Sequence, residues 1–408
     1  MAERRGTRKR RSEKHPGKIT GILCSMILGA VVGYNIARLM DAGAAGGGLS
    51  AGELAVRAVW VAVSFCFGFF LQTILHETGH MICGMMSGYR FSSLRIGSFM
   101  WMKQDGKIRF RRYSLAGTGG QCLMGPPDFR DGKIPYIFYN LGGVLMNIFA
   151  AAAVFVLWLF WAGNWYVSCF LIILCLSGIW LALVNGIPLK LELLNNDGRN
   201  IVDIGKSRNE MYAFWLQLKV AESQSGNIRL RDMPAEWFEM PEKEELRQSM
   251  SAVRGVFRAN RLLDEHAFDE TAELIGRLLN MDSAIIGVYR ALLAADRVYC
   301  ELIGECKEEV LKIWDDRRQK QVMKQMRNEI SVMRTEYAYA LLHDRDEKKA
   351  EAIRKKFEKR LETYPYHGDA ESEKELLEIT EREWKNRKQA EEEREIPSER
   401  AENEDGNR

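Results

Sequence analysis

The longest uncharged stretch of the chain sets the first constraint on its fold. From residue 134 to residue 189 there is no Asp, Glu, Lys or Arg. A helix needs about 20 apolar residues to cross a bilayer, so this stretch is long enough for two. Small and polar residues at 162–165 can turn the chain, and Trp161 and Trp165 suit a membrane interface. We therefore predict spans at about 134–161 and 165–187.

Two shorter uncharged runs, at 19–37 and 58–75, predict two further spans. With their flanking apolar residues they extend to about 19–40 and 57–82, which makes four transmembrane helices. We interpret the first as a retained anchor. A cleaved signal peptide is the alternative, but no A-x-A-like site followed by a secreted domain is evident, and Ala44-Ala45-Gly46 is the nearest candidate.

The cations are distributed unevenly, and this predicts the orientation of the spans. Residues 1–18 hold eight Lys or Arg and residues 84–133 hold nine, whereas the turns at 41–56 and 162–165 hold none. Because cytoplasmic loops carry the excess of cations, both termini of this multi-pass protein are predicted to be cytoplasmic. The adjacent span accounts for the basic residues 1–18, so we expect no nucleic-acid partner.

The second span ends in an HExxH pattern that indicates metal chemistry, His76-Glu77-Thr78-Gly79-His80. Positions i and i+4 share one face of a helix, so both imidazoles can reach one Zn²⁺ ion. Glu77 lies beside that ion and can take the proton of a water that the metal activates. Histidines and a glutamate at membrane depth are costly and usually functional. The predicted orientation places the motif near the cytoplasmic end of its span.

A catalytic zinc ion typically has three protein ligands, so a third must come from another segment. Residues 185–198 follow the fourth span and return to the same side of the membrane. At this point the sequence resembles the site-2 protease family of intramembrane zinc metallopeptidases, which combines HExxH with a later Asn-Pro…Asp-Gly segment. Over residues 57–200 the resemblance implies one catalytic zinc ion bound by His76, His80 and Asp197, with Glu77 as general base.

The spacing within the later segment departs from the family. Nine positions separate Pro188 from Asp197, which is more than is usual, and this makes Glu192 a rival ligand. We favour Asp197 because Gly198 lets the backbone turn tightly after it. By itself, the sequence Asn196-Asp197-Gly198 would indicate only a solvated turn.

The third span contains Gly143 and Asn147, which resemble the G-x-x-x-N motif of the same family. The resemblance implies that Asn147 has a catalytic role, holding the substrate backbone or the developing oxyanion, and that Gly143 is a substrate-positioning residue. An amide donor aimed at a tetrahedral intermediate in a low-dielectric site can be worth about 3 kcal/mol. The alternative is close helix packing at the glycine, with Asn147 bonded to a neighbouring helix.

Residues 88–115 predict a β-hairpin between the second and third spans. Aromatic, aliphatic and Arg residues at 91–103 and 107–113 flank Gln104-Asp105-Gly106, in which Asp-Gly is a strong turn signal. Proteases often hold their substrate as an added strand, and the family similarly places a short sheet after HExxH. A cationic hairpin lying on anionic headgroups is an alternative that is compatible with the first interpretation.

From residue 207 the chain has a polar, helical pattern, which predicts a cytoplasmic all-α domain at 207–385. Residues 337–364 indicate two helices joined at 343–346, a pair that resembles a tetratricopeptide solenoid except that Ile353 stands where a small Ala is expected. Such a domain could recognise a protein partner; a plain bundle that stabilises the enzyme is the alternative. The charged residues 386–408 predict a disordered tail.

Together these features predict an α-helical polytopic membrane protein. It has a basic N-terminus at 1–18, a membrane-embedded peptidase domain at 19–206 with a small β insertion, and the helical domain. The predicted function is that of an intramembrane zinc metalloendopeptidase that cuts a membrane-anchored protein or peptide near the cytoplasmic face, with the lipid bilayer and a protein bound to the helical domain as further partners. A membrane-anchored scaffold or receptor with a relict zinc site is the alternative.

Overall fold

The computed structural model describes most of the chain, namely residues 33–34, 49–114, 119–161, 163–189 and 195–395. The basic N-terminus, nearly all of the first predicted span and Glu192 lie outside the described residues. The chain divides into two compact units. The first unit contains the described residues of 1–79, 143–191 and 195–200, and the second contains those of 80–142 and 201–395.

Among the described residues, three helices are long and apolar enough to cross a membrane. They are α1 (Ala51–Met86), α2 (Tyr136–Trp161) and α3 (Trp165–Gly186). These helices confirm the second, third and fourth predicted spans. Because the first predicted span falls outside the described residues, the total of four spans stays a prediction.

Side-chain caps set where two of these helices begin. α1 starts several residues before the predicted span because Ser50 and Glu53 form a capping box: the Glu53 backbone N–H donates to Ser50 Oγ, and the Ser50 backbone N–H donates to Glu53 Oε2. α3 starts after Asn164, whose side chain accepts hydrogen bonds from two backbone N–H groups of the first turn. The chain therefore turns at 163–164, within the turn that the sequence predicted.

Within the first unit, α1 packs closely against α3. A Cβ atom on Gly68 would lie 3.6 Å from the Leu174 Cα atom, and the Trp60 indole N–H donates to the Tyr166 carbonyl oxygen at 2.9 Å. Small residues allow such close approach between membrane helices. The outward faces are apolar: Phe160 on α2 is 86% exposed. An exposed apolar surface of this kind suits contact with lipid and not with water.

The second unit contains a four-stranded antiparallel sheet. Its strands are β1 (Arg90–Ile96), β2 (Phe99–Gln104), β3 (Lys107–Arg112) and β4 (Gly120–Gly125), in the order β3-β2-β1-β4. β2 and β3 form the predicted hairpin, and its turn residues Asp105 and Gly106 have φ angles of 51° and 73°. Positive φ at both positions is characteristic of the hairpin turn that Asp-Gly favours.

The sheet differs from the predicted hairpin in two ways. The arm predicted at 91–103 is divided into β1 and β2 at Gly97, which adopts a φ angle of 57° that glycine accepts without strain. A further strand, β4, pairs with β1 and brings Gly120 opposite Ile96. The strand has a glycine at each end and no β-branched or aromatic residue, so the sequence did not predict it.

The remaining helices follow the fourth span. They are α4 (Asp197–Ile204), α5 (Arg208–Ser225), α6 (Ser249–Asp264), α7 (Phe268–Asn280), α8 (Gly287–Ile303), α9 (Glu308–Asp315), α10 (Arg317–Gln325), α11 (Ile330–Ala338), α12 (Glu347–Leu361) and α13 (His367–Glu395). A π-helical turn, Tyr339–His343, extends α11. Short 3₁₀ turns lie at Leu230–Asp232, Ala235–Phe238 and Glu245–Arg247.

One hydrophobic core joins the sheet to the helices of the second unit. Met100 and Met102 on β2 are buried in the same cluster as Phe357 on α12. Side chains alternate across a strand, so one face of β2 supplies these methionines to the helices. The hairpin, which the sequence assigned to the domain at 19–206, shares this core with helices of 207–385, and the boundary between the domains stays a prediction.

The pair of helices predicted at 337–364 is present. The π-helical turn after α11 ends at His343, and α12 begins after Asp346, whose side chain accepts a hydrogen bond from the Lys349 backbone N–H. The helices therefore meet where the sequence predicted their junction. The tetratricopeptide character of this pair stays a prediction.

Helix α13 extends into the segment that we predicted to be a disordered tail. It continues to Glu395, and its last turns carry ion pairs from Glu391 to Arg345 and from Lys388 to Glu347. Exposed pairs contribute little individually, but Glu, Lys and Arg are also good helix formers, so a charged sequence here favours helix over coil. Residues 396–408 lie outside the described residues.

Buried charges connect α13 to the other helices of the second unit. The fully buried Arg334 guanidinium donates to Asp296 at 2.7 Å and to Glu373 at 2.9 Å.

Asp369 lies near the start of α13, and its carboxylate accepts hydrogen bonds from the Gln224 amide. Burial raises the pKa of Asp369 to about 7, because the charged form is poorly solvated at this position.

The raised pKa of Asp369 predicts a pH-dependent contribution to the stability of the protein. The folded protein binds this proton more tightly than the unfolded chain, in which the pKa is 3.8. The stabilising contribution is therefore complete below about pH 4 and is lost as the pH rises through about 7. The contribution of such a half-buried group to the free energy of unfolding is on the order of 1 kcal/mol. In the Asp369→Asn variant we expect this contribution, and the pH dependence that it causes, to disappear.

Denaturation midpoints of the detergent-solubilised protein between about pH 5 and pH 8 measure this slope. Wild type and variant should differ most in slope across this range. Parallel curves would show that Asp369 does not titrate there.

Candidate metal centre

His76 and His80 lie one turn apart on α1, and both side chains are buried. Their spacing places both imidazoles on one face of the helix. With Asp197 they form a group in which one ligand atom from each residue lies within 4.8 Å of the others. Across the residues that the structure describes, this is the only group of three or more such side chains. The structure thus brings the three predicted zinc ligands together.

The imidazole of His80 is oriented by a backbone carbonyl. Its Nδ1 atom lies 2.8 Å from the Tyr139 carbonyl oxygen. Because a carbonyl oxygen can only accept, Nδ1 must carry the proton and donate it. The Nε2 atom of His80 therefore keeps a lone pair for a metal ion.

The imidazole of His76 is oriented by a side-chain amide. Its Nδ1 atom lies 2.7 Å from Oδ1 of Asn147, and its Nε2 atom lies 3.1 Å from Oδ2 of Asp197. The Asn147 oxygen accepts, so Nδ1 of His76 is the donor. Nε2 lies on the side of the carboxylate, where a bound metal ion would take a lone pair from each, so both histidines have the tautomer that binds a metal through Nε2.

Asp197 is held in place by its neighbour Asn196. The buried Asn196 side chain donates to the carbonyl oxygens of Val184 and Ile187 at the end of α3, each at 2.6 Å. Its Oδ1 accepts from the Arg199 backbone N–H at 2.9 Å, which caps the start of α4. Asp197 is therefore the first residue of a helix that is tied to the end of the last span.

Gly198 is required for a different reason from the one predicted. The sequence suggested a tight turn after Asp197, but Gly198 lies in the first turn of α4, and it is not among the described residues with positive φ. A Cβ atom at this position would approach the Gly186 carbonyl oxygen to 2.2 Å. The glycine therefore lets α4 approach the backbone at the end of α3.

The donor set fits a zinc ion. Two imidazole nitrogens and one carboxylate oxygen are ligands that Zn²⁺ accepts, and three protein ligands leave a position open for water or substrate. In metal sites a ligating histidine usually donates its other ring N–H to a carbonyl or carboxylate. His76 and His80 both have such a partner.

A family model described as peptidase family M50 matches residues 64–364, well over half of the chain. The chain belongs to peptidase family M50. The resemblance to the site-2 protease family is thereby confirmed, and it extends beyond residue 200 through most of the helices of the second unit. No curated protein and no solved structure matches the chain. Membership of this family implies protease activity, and with three apolar helices it supports a membrane protein.

In this M50 peptidase, Gly143 lies directly against a candidate ligand. A Cβ atom at Gly143 would lie 2.4 Å from Cε1 of His76. The sequence analysis assigned Gly143 to substrate positioning, which stays a prediction. The observed contact shows in addition that Gly143 leaves space for the His76 ring, because any larger residue would displace the imidazole.

Asn147 makes contacts that differ from the predicted ones. Its side chain is fully buried, and Nδ2 donates to the main-chain oxygen and to Oε1 of Gln72, both at 2.9 Å. The two amide hydrogens are thus both used, while Oδ1 accepts from His76. With these bonds in place the amide has no hydrogen left for an oxyanion. The contacts agree with the alternative interpretation, in which Asn147 is bonded to a neighbouring helix, and its catalytic role stays a prediction.

Sequence reasoning missed Gln72 as part of this centre. A signal was available: Gln72 is the only amide in the uncharged run 58–75, and it precedes His76 by four residues, which places it on the same helix face. Glu77 is buried beside the histidines on α1, and its role as general base stays a prediction. Glu192 lies outside the described residues.

The contact between Gly143 and His76 predicts the effect of one added methyl group. We expect the Gly143→Ala variant to bind zinc about ten times more weakly than wild type, because the methyl group displaces a ligand. Zinc affinity is measured by competition with a chelator in detergent. Gly52→Ala is the matched control, since a Cβ atom at Gly52 meets nothing within 4 Å. Equal losses in both variants would mean that the contact is unimportant.

Proposed function

We propose that this M50 peptidase is an intramembrane zinc metalloendopeptidase that hydrolyses peptide bonds of membrane-anchored proteins or peptides near the cytoplasmic face. The observation that carries the proposal is the arrangement of His76, His80 and Asp197, in which both histidines keep Nε2 for a metal. The family match favours this function over a scaffold with a relict site.

The chemistry follows from the side chains around this centre. When bound, a zinc ion supplies Lewis-acid polarisation of the scissile carbonyl and activation of water at neutral pH. Glu77, adjacent to His76 on α1, accepts the proton of the attacking water and then delivers it to the leaving amine nitrogen. Asn147 orients His76 through its Oδ1 atom. The substrate helix has to unwind first, because helical carbonyls are engaged in internal hydrogen bonds.

The sheet of the second unit is a candidate for holding the unwound substrate. β3 is an edge strand in the order β3-β2-β1-β4, and an extended peptide can add to such an edge through main-chain hydrogen bonds. β3 also exposes Ile108 and Phe110 beside its arginines. Aromatic and basic side chains together suit anionic headgroups, so the same strand can lie at the membrane surface while it receives substrate.

The cytoplasmic placement of the site rests on the distribution of charge. Cations are concentrated in 1–18 and 84–133, and the HExxH motif lies just before the second of these segments. Cations are retained on the cytoplasmic side of a membrane. We therefore propose that the termini and the metal centre all belong to the cytoplasmic side, and that the helical part of the second unit is available there to a protein partner.

Replacement of Glu77 tests the catalytic step. We expect Glu77→Gln to keep bound zinc but to lower the cleavage rate of a membrane-anchored substrate by roughly a hundredfold or more, since general-base catalysis contributes 10² to 10⁴. Purified wild type and variant are compared for zinc content and for turnover of candidate substrates in detergent. A wild-type protein without zinc, or a variant that cuts at the wild-type rate, would refute the proposed function.

Comparison of two carboxylates tests the third ligand. Asp197→Ala should lower zinc content far more than Glu192→Ala, because Asp197 Oδ2 lies at the centre, 3.1 Å from His76 Nε2. Zinc per protein is measured by atomic absorption after gel filtration. The reverse order of loss would assign the ligand to Glu192 instead.

A further inference from the structure

Gln72 is buried in α1 at a position where a polar side chain is costly. It lies in the uncharged run 58–75, and its exposed fraction is zero. An amide transferred to an apolar interior without hydrogen-bond partners costs several kcal/mol. Its partners therefore explain how it can be accommodated at this depth.

The partners of Gln72 come from the two other helices of the first unit. Its Nε2 donates to the Leu174 carbonyl oxygen of α3 at 3.0 Å. Its Oε1 and its main-chain oxygen each accept from Nδ2 of Asn147 on α2. The Gln72 amide thus joins α1 to α2 and α3, one helical turn before the candidate ligand His76.

These hydrogen bonds have a direction. The Leu174 carbonyl can only accept, so the Gln72 amide must turn its NH₂ group toward α3 and its oxygen toward Asn147. Asn147 must then turn its own NH₂ group toward Gln72 and its oxygen toward His76. As a result the proton of His76 is held on Nδ1.

We infer that Gln72 is a positioning residue of the metal centre, which fixes the orientation of Asn147 and thereby the Nδ1–H tautomer of His76. The inference rests on the proposed metal site, since the tautomer matters because it leaves Nε2 to a zinc ion. The hydrogen bonds of the Gln72 side chain go to Leu174 and Asn147. Gln72 acts through Asn147.

The packing of α3 leaves space for the Gln72 side chain at one glycine. A Cβ atom on Gly178 of α3 would lie 2.7 Å from Nε2 of Gln72 and 3.1 Å from the Asn147 carbonyl oxygen. α3 therefore carries its glycine where the amide needs the space. A methyl group here would push Gln72 away from Leu174, and its three nearest atoms belong to Gln72 and Asn147.

The main-chain oxygen of Gln72 limits the size of the effect. It also accepts from Asn147 and remains in any substitution, so removal of the side chain weakens the restraint on Asn147 without abolishing it. Loss of a group that is hydrogen-bonded to a metal ligand typically lowers the metal affinity 10- to 100-fold. For Gln72, one bond further away, we expect a loss of about three- to tenfold.

Zinc affinities of the full-length protein in detergent, measured by chelator competition, test the inference. Gln72→Leu should bind zinc about three- to tenfold more weakly, and Gly178→Ala should do the same from α3. Thr73→Val is the matched control, because the Thr73 hydroxyl bonds only to the Phe69 carbonyl oxygen of its own helix. Unchanged affinity in Gln72→Leu, or an equal loss in Thr73→Val, overturns the inference.

A double-mutant cycle separates positioning from general destabilisation. If Gln72 acts through Asn147, the Gln72→Leu and Asn147→Leu losses in zinc affinity are not additive, and the double variant binds zinc about as weakly as Asn147→Leu alone. Additive losses would mean that Gln72 affects the site by another route. Should Gln72→Leu not fold, Gly178→Ala replaces it in the same cycle.

The histidine tautomer supplies a measurement that needs neither zinc nor substrate. In metal-free protein labelled with ¹⁵N-histidine, the His76 ring should have its proton on Nδ1, assigned by difference from a His76→Gln variant. In Gln72→Leu we expect a mixture of tautomers, and in Thr73→Val the wild-type spectrum. A wild-type spectrum in Gln72→Leu overturns the inference even if zinc binds and substrate is cut. A wild type that binds no zinc refutes the proposed function, while the spectrum still tests Gln72.

Discussion

The rest of the site depends on one constraint: an imidazole buried among apolar helices needs a partner for each of its nitrogens. An imidazole nitrogen without a partner is costly in apolar surroundings, and here neighbouring backbone and side chains bind the Nδ1 atoms. For His80 the partner of Nδ1 is a backbone carbonyl, and for His76 it is the Asn147 side chain. Both partners belong to α2, and therefore α1 and α2 must approach closely along the whole motif.

That close approach explains the positions of the glycines better than backbone flexibility does. Gly143 gives the His76 ring its place, Gly178 does the same for the Gln72 amide, and Gly198 lets α4 reach the end of α3. At each position a single added carbon would come within 3 Å of another group. The helices are thus packed around polar side chains that carry the chemistry, as is common where small residues line membrane helices.

Local patterns were sufficient to predict the three described spans, the HExxH face and the Asp-Gly turn, because hydropathy, helical periodicity and turn preference are properties of neighbouring residues. Asp197 required the family resemblance, since a lone Asp-Gly pair indicates no more than a turn. The fourth strand, the packing role of Gly198 and the contacts of Gln72 were missed. Each depends on a contact with a segment distant in sequence, which no pattern of neighbouring residues reveals.

The two histidines have the same tautomer, but the partner that fixes it is a backbone carbonyl for His80 and a side-chain amide for His76. A backbone carbonyl cannot rotate or be substituted, so the link from Tyr139 to His80 persists whatever side chain position 139 carries. His76 instead depends on two amides, each of which could rotate by 180° and exchange donor for acceptor. Two fixed carbonyls oppose this: that of Leu174 directs the Gln72 amide, and the main-chain oxygen of Gln72 directs Asn147. The orientation of His76 therefore depends in part on α3, a helix that supplies none of the metal ligands.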